Sequence, residues 1–327
     1  MELSRAAVRG AVRSNAERVA VWILALALVG ASAGTWYVTT PLHGNDASIE
    51  TVRTDERVEL THRNGVYALE PVGENPTAGL VFYPGGRVHL DAYLAALAPL
   101  AAQADVAVYI PEMPLGFAVL NPDAAEEVVG SRSRIEQWFV GGHSLGGAMA
   151  CRYADGHPEQ VDGLVLFAAY CESDATPADP TLSVTGSADT VLDRETYQAR
   201  RSNLPTEAMV VKIREMNHSE FGSCTGQRGD RQAPIGYRTA HDRLAGVVIP
   251  WFENLTEGNR TAGQSSSRGA FSAARRPGTR TPPRGARDRA RPGLQDGVRR
   301  RHPRARRRER CSRRDRRRTR DGRSRAS

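Results

Sequence analysis

The stretch FVGGHSLGG, residues 139–147, decides the fold class. It contains the pattern G-x-S-x-G as Gly142-His143-Ser144-Leu145-Gly146, with an apolar run before it and a segment of helical composition after it. In that setting the pattern is typical of a sharp strand-to-helix turn with the serine exposed at its tip. The glycines remove the Cβ atoms that would block such a turn. The pattern therefore predicts Ser144 as a nucleophile at the end of a strand.

Outward from this turn, short apolar runs alternate with stretches of helical spacing. Two stretches with alternating polarity, near Val58–Leu60 and 66–69, flank Asn64-Gly65 and predict an antiparallel hairpin. Continuous apolar runs that alternate with helices indicate a mostly parallel sheet covered on both faces. The fold class is α/β, with one domain over residues 48–255. The predicted strands are 79–83, 106–110, 139–142, 164–168, 182–185 and 209–213, and the predicted helices are 90–102, 123–138, 145–153, 193–203 and 237–252.

Two polar residues follow later strands in the order that acyl transfer by a serine requires. A hydroxyl needs a base within hydrogen-bond reach and an acid that orients the base. Asp189 follows the strand at 182–185, and His218 follows the strand at 209–213. Catalytic groups gather at the carboxyl ends of such strands, so we expect Ser144, Asp189 and His218 to form a triad.

Other candidates fit these roles less well. Asp193 is the nearest rival acid, but its position predicts the N-cap of the following helix. His143 adjoins the nucleophile, His89 opens a predicted helix, and His157 lies in a Gly-His-Pro turn. Asp189 as a turn residue and His218 as a surface-loop histidine remain the alternatives without chemistry.

An oxyanion hole would need two backbone N–H groups. One is expected from Leu145, the residue after the nucleophile. The other is expected from the loop Tyr83-Pro84-Gly85-Gly86-Arg87, at Gly86 or Arg87. An ordinary turn that ends a strand would have a similar sequence.

At this point the residues match a known family. The chain resembles the α/β-hydrolase superfamily, and within it a group of small exported hydrolases related to dienelactone hydrolase, over about 79–252. The segments that carry the resemblance are VFYPGGRV, GGHSLGGAMA, VTGSADTVL and NHSEFGSCTGQRGD. The last holds the His-x-x-Phe-Gly motif and the Gln-x-Gly-Asp segment of that group. The resemblance implies the same triad. Dienelactone hydrolase has a cysteine nucleophile where this chain has Ser144, so its specific reaction is not carried over.

The four cysteines show no CxxC and no Cys/His metal spacing, so the sequence predicts no metal site and no cofactor. Cys171 and Cys224 lie on predicted loops at the catalytic end and would be oxidisable outside the cell. A bridge between these two is our hypothesis. Cys151, on the helix after the nucleophile, is expected to be a buried packing residue.

Residues 19–38 are twenty residues without a charge, long enough to cross a bilayer core of roughly 30 Å. Four arginines precede them and the next basic side chain is Arg53, which predicts residues 1–18 in the cytoplasm and the rest outside. Residues 39–47 would be a linker. A cleaved signal peptide with Ala31-Ser32-Ala33 as its cleavage site is the competing interpretation. A buried soluble helix is disfavoured because the segment has no polar face.

The net charge of +8 averages two unlike pieces. From residue 265 onward there are 24 arginines and five acids, about +19, which leaves about −11 for residues 1–264. The segment 256–327 has no apolar stripe and is predicted to be disordered. It could be a nucleic-acid-binding arm, an electrostatic anchor to acidic surface polymers, or a tail translated after a frameshift, which we favour. No folded nucleic-acid module is recognisable.

Only residues 171–181 separate two strands between which lipases and many esterases carry a lid. That gap is too short for a lid, and an open site favours small, soluble or surface-accessible esters over buried long-chain lipids. The sequence thus predicts a membrane-anchored, extracytoplasmic carboxylic-ester hydrolase that forms an acyl-enzyme. A peptidase or amidase with the same triad, and a non-catalytic binding protein on this fold, are the alternatives. The sequence gives no oligomeric state.

Overall fold

The computed structural model describes residues 5–172 and 180–273. Its centre is one eight-stranded sheet in the order β1-β2-β4-β3-β5-β6-β7-β8. The two hairpin strands pair antiparallel with each other, β2 pairs antiparallel with β4, and every other pair is parallel. This confirms the predicted mostly parallel sheet and its antiparallel edge. The strands are β1 (Val58–Arg63), β2 (Val66–Pro71), β3 (Ala78–Tyr83), β4 (Val106–Pro111), β5 (Gln137–His143), β6 (Gly163–Phe167), β7 (Thr181–Gly186) and β8 (Met209–Ile213).

Seven α-helices occur in the described residues. They are α1 (Arg5–Thr39), α2 (Asp46–Arg53), α3 (Leu94–Ala104), α4 (Ala124–Gly130), α5 (Leu145–Gly156), α6 (Arg194–Ala199) and α7 (Tyr237–Ala273). Short 3₁₀ helices occupy Leu90–Tyr93, Pro114–Gly116, Ala118–Leu120, Arg200–Asn203 and Ser219–Phe221.

The sheet separates two apolar cores. Residues of β3 alternate between them, because successive side chains of a strand point to opposite faces. Leu80 and Phe82 join the core that includes α2, α3 and α7. Val81 and Tyr83 join the core that includes α4 and α5. Every residue of β3 is buried, which explains its continuous apolar sequence.

Two predicted helix boundaries are wrong. The helix expected over 123–138 ends at Gly130, and Trp138 belongs to β5, where its ring is buried against the face that carries α5. The final helix was expected to end at residue 252. Its backbone continues to Ala273, so residues 256–273 are helical instead of disordered. Packing against the core extends to Leu255 and Thr256, and a helix can continue beyond its packed face. The rest of the expected tail, 274–327, lies outside the described residues.

The N-terminal helix α1 contains a span, Arg18–Tyr37, that is long and apolar enough to cross a membrane by length and composition. None of that span is buried in the structure. A signal sequence would pass the same test. The residues expected to form a linker, 39–47, include the first two residues of α2. Residues 173–179, within the interval where no lid was expected, lie outside the described residues.

Candidate active site

Ser144 lies at the tip of the turn between β5 and α5. Its backbone has φ 53° and ψ −121°, a left-handed conformation that a residue with a Cβ adopts at a cost. Gly146 is required beside it, because a Cβ there would collide with the carbonyl oxygens of Tyr83 and Pro84 at the end of β3. The Ser144 N–H donates to the carbonyl of Phe167 in the neighbouring strand at 2.9 Å. The strand-to-helix turn predicted from the sequence is confirmed.

Asp189 and His218 lie in direct contact. His218 Nδ1 is 2.8 Å from Asp189 Oδ2, and their side chains are 1% and 0% exposed. The other carboxylate oxygen, Oδ1, accepts hydrogen bonds from the N–H groups of Val191 and Leu192 at 2.8 and 2.9 Å. These two bonds fix the carboxylate so that Oδ2 faces the imidazole.

The electrostatics keep this carboxylate ionised. Burial by itself would raise the pKa of Asp189. The hydrogen bond from His218, the electrostatic interaction with its ring and the two backbone N–H groups outweigh burial and hold the pKa of Asp189 below its ordinary value. An ionised acceptor at Nδ1 selects the tautomer in which Nε2 carries the lone pair.

The rival acid has the role that its sequence predicted. Asp193 is the N-cap of α6, and its side chain accepts from the N–H groups of Glu195 and Thr196 at 3.0 and 3.2 Å. His89 caps the 3₁₀ helix Leu90–Tyr93, as expected for a residue that opens a helix.

His218 Nε2 is buried and has no hydrogen-bond partner among residues 5–172 and 180–273. Its ring packs against the ring of His143, the residue before Ser144, with ring centroids 4.4 Å apart. The structure thus brings the histidine to the turn that carries the serine. The Ser144 hydroxyl does not hydrogen-bond to Nε2 here. Such contacts are often long without a substrate.

His143 makes a buried contact that the sequence did not reveal. Tyr93 Oη accepts from the Gly85 N–H at 2.8 Å and lies 2.9 Å from His143 Nδ1. Burial, and then the neighbouring His218, hold the pKa of His143 well below its ordinary value, so it is neutral. The Tyr93 hydroxyl and Nδ1 of the neutral ring share one hydrogen bond, and this link joins the loop after β3 to the serine turn. Nothing in the sequence marks Tyr93, since it belongs to no motif.

The predicted oxyanion donors have different environments. Leu145 begins α5, and the first N–H groups of a helix have no partner within it. The Gly86 N–H makes no backbone hydrogen bond in the described chain. A Cβ on Gly86 would lie 3.5 Å from the Leu145 side chain, so the two residues adjoin. The prediction of Arg87 as an oxyanion donor is wrong, because its N–H already donates to the Gly116 carbonyl at 2.7 Å.

The hypothesis of a disulfide between Cys171 and Cys224 is wrong. The disulfide joins Cys151 to Cys171, with Cα atoms 5.6 Å apart, and Cys224 is a buried free thiol. The sheet explains the difference. Cys171 faces the core that includes α5, where Cys151 lies, whereas Cys224 faces the core on the opposite side. Burial raises the pKa of the Cys224 thiol to about 12.

One cluster could hold a metal ion, although no sequence spacing indicated it. His43, His89 and Asp91 each offer a ligand atom within 4.8 Å of the others. Asp91 Oδ2 lies 2.8 Å from His43 Nδ1 and 3.0 Å from His89 Nδ1. These three side chains satisfy one another without an ion, and they lie outside the Ser144 site.

The family model for the alpha/beta hydrolase family matches residues 79–242, half of the chain. The chain belongs to the alpha/beta hydrolase family. This confirms the superfamily that the motifs predicted. The chain has no significant match among curated proteins.

Several solved structures are similar to this chain at low sequence identity. Dienelactone hydrolase from Anabaena variabilis ATCC 29413 is 17% identical, with 61% of this chain and 99% of that chain covered and a TM-score of 0.46. An esterase from Pyrobaculum calidifontis is 13% identical, with 64% and 90% covered and a TM-score of 0.47. A CIB-like hydrolase from Thermoplasma acidophilum is 18% identical, with 60% and 97% covered and a TM-score of 0.46.

Proposed function

We propose that this chain is a serine hydrolase that cleaves carboxylic esters of small or accessible substrates through an acyl-enzyme. The observation that carries the proposal is the buried contact between His218 and Asp189 next to the Ser144 turn. A buried aspartate held ionised against Nδ1, with Nε2 unpartnered, is the arrangement that a general base for a serine requires.

In the first half-reaction, the Ser144 oxygen attacks the ester carbonyl and its proton passes to His218 Nε2. Asp189 stabilises the imidazolium that forms. The negative charge on the carbonyl oxygen is stabilised by the N–H groups of Leu145 and Gly86 and by the N-terminus of α5. The carbon–oxygen bond to the alcohol then breaks, and His218 returns the proton to the departing oxygen. Water repeats the sequence and releases the acid.

We also propose that the catalytic domain is extracytoplasmic and anchored by α1. The arginines before the apolar span support this orientation. The Cys151–Cys171 disulfide supports it independently, because disulfides persist in oxidising compartments and are rare in the cytosol.

The test compares short acyl p-nitrophenyl esters with the matching p-nitroanilides, using the full chain in detergent. We expect ester turnover that Ser144→Ala abolishes, and much slower anilide turnover. Ser202→Ala, at an exposed serine on a 3₁₀ helix, is the matched control and should leave the rate unchanged. Ester turnover that persists in Ser144→Ala would overturn the mechanism, and faster anilide turnover would favour an amidase.

A further inference from the structure

The end of α1 is held by the loop that carries the proposed oxyanion donor. The guanidinium of Arg87 lies over the Tyr37 ring at 3.5 Å from its centroid. Its Nε donates to the Tyr37 carbonyl and its Nη2 to the Thr40 carbonyl, both at 2.9 Å. A cation at the last, otherwise unpartnered carbonyls of a helix is a favourable C-terminal contact.

The backbone continues this attachment. The Leu42 N–H donates to the Arg87 carbonyl at 2.7 Å, and the His89 N–H donates to the Leu42 carbonyl at 2.8 Å. Residues 37–42 are therefore bound by both the side chain and the main chain of Arg87. Gly86 directly precedes Arg87. The proposed oxyanion donor is therefore separated from the end of the apolar span by about the length of the Arg87 side chain.

Three exposed apolar side chains lie in the segment 115–120, which contacts Arg87 through Gly116. Leu115, Val119 and Leu120, which we call the rim, are 57%, 49% and 54% exposed. Leu115 has a φ of 53°, a left-handed conformation that favours glycine, and it nonetheless presents its side chain to solvent. An exposed apolar group in a costly backbone conformation suggests a functional surface.

The rim is continuous with both the anchor and the site. Arg87 connects to it through the hydrogen bond from its N–H to the Gly116 carbonyl. Phe117, between the rim residues in the chain, has its ring 3.8 Å from the position of a Cβ on Gly86. On the anchor side, Trp36 and Tyr37 are 68% and 50% exposed at the end of the span.

We infer that the site opens onto the outer face of the membrane and that its substrates are acyl esters of amphiphilic lipids held in that leaflet. This inference rests on the proposed function. Trp36 and Tyr37 mark the depth of the interface, where such rings settle. The interfacial layer is about 5–8 Å thick on each side of the hydrocarbon core. A site bound directly to those residues lies at the level where the ester carbonyls of membrane lipids lie.

The reaction at this surface is ordinary hydrolysis. The Ser144 oxygen displaces the lipid alcohol, which remains in or near the bilayer, and water then releases the fatty acid. The apolar rim and the Phe117 ring would accept the upper part of the acyl chain, so the lipid need not leave the leaflet completely. An enzyme without a predicted lid is expected to act on accessible esters. A lipid ester at the surface of the bilayer is accessible in this sense.

The experiment uses the full chain reconstituted in vesicles of an ether-linked dialkyl phosphatidylcholine, which contains no acyl ester, with two substrates measured in the same sample. One is p-nitrophenyl acetate in the water, and the other is a fluorogenic diacylglycerol in the bilayer. The test variant is Val119→Asp combined with Leu120→Asp. The matched control is Val72→Asp, which is 54% exposed and lies after β2 at the opposite, amino end of the parallel strands.

We expect wild type to cleave both esters. The double variant should lose at least tenfold on the bilayer ester and stay within about twofold on the acetate, whereas Val72→Asp should match wild type on both. Acetate turnover with no cleavage of the bilayer ester, or equal effects of the double variant on both substrates, would overturn the inference alone. No turnover of either ester, together with no labelling of Ser144 by a fluorophosphonate, would overturn the proposed function as well.

Discussion

The substitution Asp189→Asn tests the proposed mechanism at one hydrogen bond. In the wild type, Asp189 Oδ1 accepts from the N–H groups of Val191 and Leu192, and Oδ2 lies 2.8 Å from His218 Nδ1. An asparagine must keep its oxygen on the two backbone N–H groups, because its NH₂ group cannot accept from them. The NH₂ group then faces Nδ1 and donates to it.

This orientation imposes the wrong tautomer on the histidine. Nδ1 becomes the acceptor, Nε2 carries the proton, and Nε2 can no longer take the proton of Ser144. Loss of the aspartate in a triad of this kind lowers kcat by about 10⁴-fold. At about 1.4 kcal/mol for each factor of ten, that is roughly 5.5 kcal/mol of transition-state stabilisation. The fold should be preserved, because the bonds to the two backbone N–H groups remain.

The assay is steady-state hydrolysis of a short p-nitrophenyl ester, with thermal unfolding measured on the same preparations. Asp193→Asn is the matched control. It changes the rival acid at the N-cap of α6, where asparagine caps as well as aspartate does, so it should leave kcat within about twofold. A kcat for Asp189→Asn within tenfold of wild type, with a normal unfolding temperature, would refute the reasoning. An equal loss in Asp193→Asn would refute it too.

Three further predictions concern stability and the serine turn. The Cys151–Cys171 bridge joins residues 20 apart in the chain. Its reduction should lower the free energy of unfolding by about 3 kcal/mol and Tm by about 7 °C. A thermal unfolding curve that reductant leaves unchanged would contradict this prediction. Burial raises the folded-state pKa of Glu220 to about 7. Between about pH 4.5 and pH 7 the carboxyl group is neutral in the folded protein but ionised in the unfolded chain. Its contribution to stability is therefore complete below about pH 4.5 and is lost as the pH rises to 7. Denaturant titrations should show Glu220→Gln gaining stability over wild type across that range, and a constant difference would count against it. Gly146→Ala should lower the free energy of unfolding by about 1–3 kcal/mol in denaturant titrations and remove most activity, because the added Cβ collides with backbone atoms at the end of β3. Gly156→Ala is the control and should be tolerated, because the space around Gly156 is open. Equal effects of the two substitutions would contradict this prediction.

The fold could be predicted because each of its determinants is local. The Asn64-Gly65 turn and the alternation on either side specify the hairpin of β1 and β2. The continuous apolar runs specify buried parallel strands. Asp189 and His218 could be paired from the sequence because each follows a strand, and β7 and β8 prove to be neighbours in the sheet.

What the sequence did not reveal depends on which side of the sheet a residue occupies. Cys171 and Cys224 both lie in loops beyond the carboxyl ends of parallel strands. Nothing in the sequence around them shows that they face opposite cores. The contact between Tyr93 and His143 joins residues 50 apart that belong to no shared motif. The N–H of Arg87 is bonded to the carbonyl of Gly116, which belongs to a different loop, and no local sequence feature indicates that partner.

Covalent labelling of Ser144 tests the central claim most directly. The full chain is incubated with a fluorophosphonate, and its intact mass and tryptic peptides are measured, alongside Ser144→Ala and the control Ser202→Ala. We predict one adduct, on the peptide that contains Ser144, formed by wild type and Ser202→Ala and absent from Ser144→Ala. No adduct on folded wild type, or an adduct that persists in Ser144→Ala, would contradict the assignment of Ser144 as the nucleophile.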